Sequence, residues 1–466
     1  MLLKIRNHLS QQQISMPAKT TYGIEKKKQG DKAMKPRILW VLLVFVGLWS
    51  SPAAADNRFI VRAPSGLNPL QLVCFLLGCN VGGGLDGSLG RVFLVTTPDL
   101  IDPNVFLQLL QSQPGIQHVE QDVRLRVLQA AGTAPPSALS DNTPVDYFGV
   151  SVINGYISQP AITIIHLPDA QNAFNTSGGG ATVAVIDTWV DPTHPVLQGV
   201  LVPGYDFTRN IAGTASEMQD VNQTYNGVGA SPAMVNQSSA AILDPQSVMN
   251  LHQPQYQAFG HGTMVSGIVH LVAPTAHIMP LKAFGADGSG YLSDVLRAIY
   301  FAVQNGADVD VINMSFSFPT YSYEVARAMK YANRQGVVCV ASAGNDGKDE
   351  IVYPAALSGV MGVASTANDD TLSTFSNYGE DLVWVAAPGE GIVTTYPFGT
   401  YGAGWGTSFS TPFVSGAAAL LQTVRRNCNE SCAERALAHA DWISSDVGKG
   451  RIDLYQAVSA ASQGSN

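Results

Sequence analysis

Gly406-Thr407-Ser408-Phe409-Ser410-Thr411-Pro412 runs straight into Val414-Ser415-Gly416-Ala417-Ala418-Ala419-Leu420-Leu421. The pattern predicts a turn bearing a serine that opens a closely packing helix. Pro412 suits a first helical turn, where no N–H is required, and the small residues let the helix approach its neighbours. Unpaired backbone N–H groups and the positive dipole end would lie beside Ser408, so negative charge forming near its hydroxyl would be stabilised there. A capped core helix with a serine near its start would carry the same residues. A base and an orienting acid elsewhere in the chain decide between the two.

Outward from that stretch, from Gln159 onward, apolar strands alternate with helical periods. Thr182 to Ile186, Ile278 to Phe284, Val309 to Phe316, Val337 to Ala341, Val360 to Ala364 and Leu382 to Ala386 read as buried strands. Leu292 to Val303 and Tyr323 to Arg334 keep helical spacing. Strand and helix in alternation imply an α/β domain, a mostly parallel sheet with helices on both faces, whose sites gather at the carboxyl ends of strands. Asp187 ends one such strand, and Asn345 follows another through Ser342-Ala343-Gly344. His261, in Gly260-His261-Gly262-Thr263, opens the apolar helix that begins Met264-Val265-Ser266. Singly, each has a structural reading: an Asx turn for Asp187 or Asn345, a polar helix start for His261. With Ser408, Asp187 and His261 make up an acid, a base and a nucleophile, and Asn345 adds a polar group.

At this point the chain resembles the subtilisin-like serine peptidases, over roughly 159–459. Asp187-Thr188, His261-Gly262-Thr263 and Gly406-Thr407-Ser408 match the three signature segments of that family in its order, and Ser342-Ala343-Gly344-Asn345 matches its oxyanion segment. The resemblance implies that His261 takes the proton of Ser408 and returns it to the leaving amine, that Asp187 holds the imidazole, and that Asn345 with the Ser408 N–H binds the oxyanion. It also implies that Ser289, Gly290 and Tyr291 on one side, and Ser315, Phe316 and Ser317 on the other, pair with an extended peptide, which predicts sequence-tolerant cleavage of polypeptides. Val352, before Tyr353-Pro354, falls where a glycine often floors the main specificity pocket, so a shallow pocket is expected.

Other departures from the family pattern carry expectations too. Trp189 stands where a small residue follows the Asp-Thr pair; a ring there must pack over or beside the acid and could restrict access to His261. No cofactor is expected. Calcium needs six or more oxygens, the loop that many relatives insert in the helix after the histidine is missing, and Val196 stands where they place an aspartate ligand, so no site can be picked. The polar, Gln- and Asn-rich stretch 208–257 reads as a disordered insertion, or else as a lid over the cleft.

Before the α/β domain, 56–128 reads as a small α+β unit: strand Phe59 to Val61, helix Leu67 to Leu77, strand Val92 to Val95, helix Pro103 to Gln111, then one or two strands from Ile116 to Leu128. With Val119-Glu120-Gln121-Asp122 near its end it resembles the inhibitory propeptide of these enzymes, an intramolecular partner; a permanent accessory domain is the alternative. Residues 129–158, with Pro135-Pro136, read as an exposed linker and processing region, and the catalytic domain as 159–466. Residues 1–33 are a polar, basic extension, and 34–55 a signal peptide: Met34-Lys35-Pro36-Arg37, the apolar run Ile38 to Trp49, and Ala53-Ala54-Ala55 before the cut. Twelve apolar residues are short for a bilayer span. A secreted or extracytoplasmic monomer follows as the expectation.

Composition agrees with that class. The 466 residues are 46% hydrophobic, enough for a large core, and the net charge of −9 offers no basic face for nucleic acid. Of five cysteines, Cys428 and Cys432 could bridge only if a helix there is locally adjusted, and Cys339 reads as a buried thiol. The expected function is a secreted serine endopeptidase made as a self-processing zymogen; the alternative is a catalytically impaired homologue that binds peptides in the same groove. An esterase is disfavoured, since no Gly-x-Ser-x-Gly elbow surrounds Ser408 and the order of the three residues is wrong for that fold.

Overall fold

The structure, a computed structural model, describes residues 57–97, 102–127, 130–213, 216–221, 225, 227–305 and 308–463. The basic extension and the signal peptide expected before residue 56 lie outside the described residues. None of the helices described is long and apolar enough to cross a membrane.

The first unit is a four-stranded antiparallel sheet in the order Asn80–Gly84, Val92–Thr97, Asn57–Arg62, His118–Gln121, with helices Leu67–Leu77 and Pro103–Gln111 on one face. The period of two in its central strand explains why both faces are covered. Phe59 and Val61 pack with Leu70, Phe106 and Leu110 of the helices, whereas Ile60 between them joins the core of the second unit. The Asp102 carboxylate caps the second helix by accepting from Asn104 N and Val105 N at 2.9 and 3.1 Å, and Pro103 opens it. A Cys74–Cys79 disulfide ties the end of the first helix to the turn after it.

The second unit is built on an eight-stranded sheet. Its order is Ile211–Gly213, Gly204–Asp206, His277–Lys282, Thr182–Asp187, Val311–Met314, Val338–Ser342, Met361–Thr366, Val385–Pro388, all parallel except the first. Val183 and Val185 face the helices His261–Val272 and Thr407–Val424; Ala184 and Ile186 face Leu292–Gln304 and Tyr323–Arg334. Burial on both faces is what the unbroken β-branched runs required. The α/β expectation therefore holds.

Two expectations are corrected. In its described residues the stretch 208–257 is not a disordered insertion: Ser231–Met234 and Ser239–Leu243 form a hairpin that pairs with Thr400–Gly404, itself paired with Ile392–Tyr396, and Pro245–Leu251 is a helix capped by Asp244. Nor is 137–158 an exposed linker throughout. Leu139 and Tyr156 have no exposed surface and join the main core, and the Tyr156 hydroxyl donates to Gly267 O of the helix His261–Val272. Cys428 and Cys432 are bonded without adjusting a helix, because the helix Glu430–Leu437 begins after Cys428. Cys339 is a buried free thiol, and burial pushes its pKa up.

Candidate active site

Asp187 is the last residue of its strand, buried beneath the start of the helix His261–Val272. Its carboxylate accepts from Thr188 N at 2.7 Å and faces His261 Nδ1, with Oδ1 at 2.8 and Oδ2 at 3.0 Å. A carboxylate only accepts, so Nδ1 carries a proton, and in the neutral imidazole the lone pair is then on Nε2. Nε2 is buried and has no hydrogen-bond partner among the described residues.

Ser408 is the second residue of the helix Thr407–Val424. Its hydroxyl donates to Ser315 O at 3.0 Å rather than to the imidazole, and the Ser315 hydroxyl donates back to Ser408 O at 2.8 Å. The rings of His261 and Phe409, the next residue, lie 5.5 Å apart between centroids. Asn345 reaches the same turn from the strand Val338–Ser342: its Oδ1 accepts from Thr407 N and from Thr407 Oγ1, each at 2.9 Å. Gly406 precedes the helix at φ +139°, and a Cβ there would stand 3.2 Å from Asn345 Nδ2. A side chain at 406 would be strained and would press on that amide.

One candidate substrate strand is already paired within the chain. Ser289–Tyr291 pairs antiparallel with Arg124–Arg126, Gly290 opposite Leu125, and Val127 N donates to Gly288 O at 2.8 Å. Beyond, Ala130 Cβ lies 3.6 Å from where a Cβ on Gly406 would stand, and Gly132 N donates to Gln237 O at 2.8 Å. Of the other candidate binding residues, Ser315 sits against Ser408, Phe316 packs on Phe284 with centroids 4.9 Å apart, and Ser317 Oγ is buried with no partner among the described residues. Val352 is buried in the core, beside the two-way backbone pairing of Tyr353 with Phe318. Trp189 adopts φ +103° and turns its ring into the core, where its far edge abuts Gly204.

Sequence reasoning missed Glu217. It is fully buried and accepts from Thr188 Oγ1 at 2.8, Gly260 N at 2.7 and Thr263 Oγ1 at 2.7 Å. Nearby, the buried Lys282 donates to Thr188 O at 2.8, Phe284 O at 2.7 and Asp220 Oδ2 at 2.6 Å. Burial raises the Glu217 carboxyl above the usual carboxylate range, against the pull of its hydroxyl donors and of Lys282, and burial lowers the Lys282 ammonium. The carboxylate sits in a polar stretch without periodicity, so no sequence signal marked it.

A family-type calcium site does not fit. Val196 is buried and apolar at the position where a carboxylate would be needed, and the helix after His261 runs unbroken from 261 to 272. One group among the described residues, His166, Asp441 and Asp453, brings three ligand atoms within 4.8 Å of one another, but Arg451 already ion-pairs with Asp441 at 2.8 Å.

Comparison with known proteins identifies the family. The pattern of the subtilase family matches residues 178–454. Thermitase of Thermoactinomyces vulgaris is 34% identical over 283 residues, 60% of this chain and 89% of that protein. A thermophilic serine proteinase of Bacillus sp. (strain AK1) is 34% identical over 292 residues, 60% of this chain and 62% of that protein. Subtilisin BL of Lederbergia lenta is 32% identical over 270 residues, covering 56% and 82%.

Proposed function

From the premise that this chain belongs to the subtilase family, and is therefore a serine endopeptidase acting on polypeptides, we propose that Asp187, His261 and Ser408 are its catalytic triad and that it is made as a secreted, self-processing zymogen. One observation carries the triad: the His261–Asp187 hydrogen bonds leave Nε2 as a lone pair that no other described group occupies. For attack the Ser408 hydroxyl must leave Ser315 O for that lone pair, a nucleophile–base contact that in resting structures is often made only when substrate arrives. His261 then removes the proton as Oγ attacks the carbonyl carbon, Asp187 stabilises the imidazolium, and the proton passes to the leaving amine. Ser408 N, at an open helix start, and the Asn345 side chain, held by Thr407, are the donors for the oxyanion.

The zymogen reading rests on the tail of the first unit. Residues 124–127 pair with Ser289–Tyr291 and Gly288 as an extended substrate would, and Ala130 lies by the Gly406 turn that precedes Ser408, which supports a self-cut between Val127 and Ala130. Secretion rests on the basic, apolar and Ala-rich order of 34–55. A serine-directed phosphonate should label Ser408, and Ser408→Ala should stay full length while the parent matures to an amino terminus at residue 128, 129 or 130.

The Ser408 hydrogen bond to Ser315 O favours a second reading, a peptide-binding homologue with little turnover. Absence of phosphonate labelling in a folded, matured sample would select it.

A further inference from the structure

Acid and base come from elements that share no local geometry: Asp187 ends a strand, His261 opens a helix, and 261 − 187 = 74 positions separate them. The imidazole is only as well aimed as that strand end and that helix start are fixed to each other. Three donors bear on the fixing. Thr188, next to the acid, accepts from Gly262 N at 3.0 Å and turns its own proton to Glu217 Oε1. Gly260, just before the base, donates its N–H to the same oxygen. Thr263, two residues after the base, accepts from Asp191 N at 2.9 Å and turns its proton to Glu217 Oε2. Each donor is thus committed to Glu217, one from the acid's side and two from the base's side. Only a group that accepts on both oxygens satisfies all three.

Glu217 arrives from neither element. It opens the short turn Glu217–Asp220 inside the segment between acid and base, and that turn is itself held: Asp220 pairs with the buried Lys282, which also grips Thr188 O, and with Arg209. The segment that looked like an insertion reaches beneath the site.

We propose that Glu217 is a positioning residue for peptide hydrolysis, clamping the strand end that carries Asp187 to the helix start that carries His261. The proposal rests on the triad assigned above. Glu217 touches neither substrate nor the reacting atoms; it acts through Thr188, Gly260 and Thr263. A merely structural carboxylate would cost stability when removed and leave the turnover of the folded enzyme alone. A clamp affects kcat in the folded enzyme and leaves peptide binding, which depends on Ser289–Tyr291, unchanged.

The test uses the full chain carrying Glu217→Gln or Glu217→Ala beside the parent and Ser408→Ala. Folded protein is verified by its melting transition, and steady-state kinetics on a short peptide amide are paired with the rate of phosphonate labelling. Glutamine keeps one acceptor oxygen, so it should restore part of what alanine loses. The expected result is a fall in kcat of about 10- to 100-fold for alanine and a smaller one for glutamine, with KM within about threefold and labelling slowed in the same order. If alanine does not accumulate as folded protein, glutamine decides alone: a kcat below about a third of the parent's at unchanged KM supports the clamp, and a smaller change overturns it. Rates within about threefold of the parent in both variants, or a rise in KM alone, overturn the clamp while labelled parent enzyme keeps the triad. A folded, matured parent that takes no label overturns the triad and the clamp together.

Discussion

The side-chain oxygen of Asn345 is held by two groups of a single residue, Thr407 N and Oγ1. That fixes the plane of the amide in advance, which an oxyanion donor needs if it is to cost no reorganisation during reaction. Asn345→Ala should therefore lower kcat by about 10²- to 10³-fold, the scale set by loss of one oxyanion donor in a member of the same family, with KM little changed. Turnover within about threefold of the parent would remove Asn345 from the site. Trp189 poses a contest between two effects. Its φ of +103° is costly for a bulky residue, about 1–3 kcal/mol, while its buried ring fills core volume whose removal costs about 3–5 kcal/mol. Filling wins, so Trp189→Gly should destabilise by about 2 kcal/mol in urea unfolding even though it relieves strain. A net gain in stability would show that strain dominates. The sequence exposed this residue as out of pattern but not where its ring goes, because backbone φ leaves no mark on residue order. Ser408 and His261 were legible for the opposite reason: their glycine and threonine neighbours are local requirements of the helix starts they occupy.

Among elements, the helix starts of the second unit that face the first are capped by carboxylates of the first. Glu120 accepts from Ser322 Oγ and Tyr323 N at 2.6 and 2.9 Å, at the start of Tyr323–Arg334. Asp122 accepts from Ser293 N and Oγ, each at 2.8 Å, in the first turn of Leu292–Gln304, and Arg62 pairs with the buried Glu324. Each cap answers an orphan N–H and a helix dipole, worth about 1 kcal/mol. On the proposed zymogen reading, the double variant Glu120→Ala/Asp122→Ala should thus weaken the hold of the first unit by about 2 kcal/mol, roughly 30-fold, and shorten the lag between self-cleavage and full activity. An unchanged lag would mean that strand pairing in the cleft alone retains the unit. The elements of both units were largely readable because each buries a face at its own period, as Phe59, Ile60 and Val61 do. The hairpin Ser231–Leu243 was not. Its partner strand, Thr400–Gly404, lies about 160 positions away, and Ala240 and Ala241, buried on opposite faces of its second strand, give no periodic signal.

For the whole molecule, the parallel sheet could be inferred from alternation, but the cost of burying polar groups within it could not, because burial is a tertiary property. His270 illustrates this. It lies on the helix that begins with His261, inside the core, with Nδ1 3.1 Å from the Tyr156 hydroxyl of the stretch expected to be linker. Burial, helped by nearby His194, lowers its pKa from 6.5 to about 4. The unfolded chain therefore takes up this proton near 6.5 and the folded chain only near 4. Between those values the unfolded state holds more protons, so stability is fully present above about pH 6.5, falls with falling pH and levels off below about pH 4. The difference is worth about 3 kcal/mol. Melting curves of the Ser408→Ala protein, used to prevent self-digestion, should show this acid slope, and adding His270→Gln should flatten it over the same range. If parent and glutamine variant lose stability in parallel between about pH 6.5 and 4, the neutral imidazole is not what acid attacks, and the buried carboxyl groups must account for the slope.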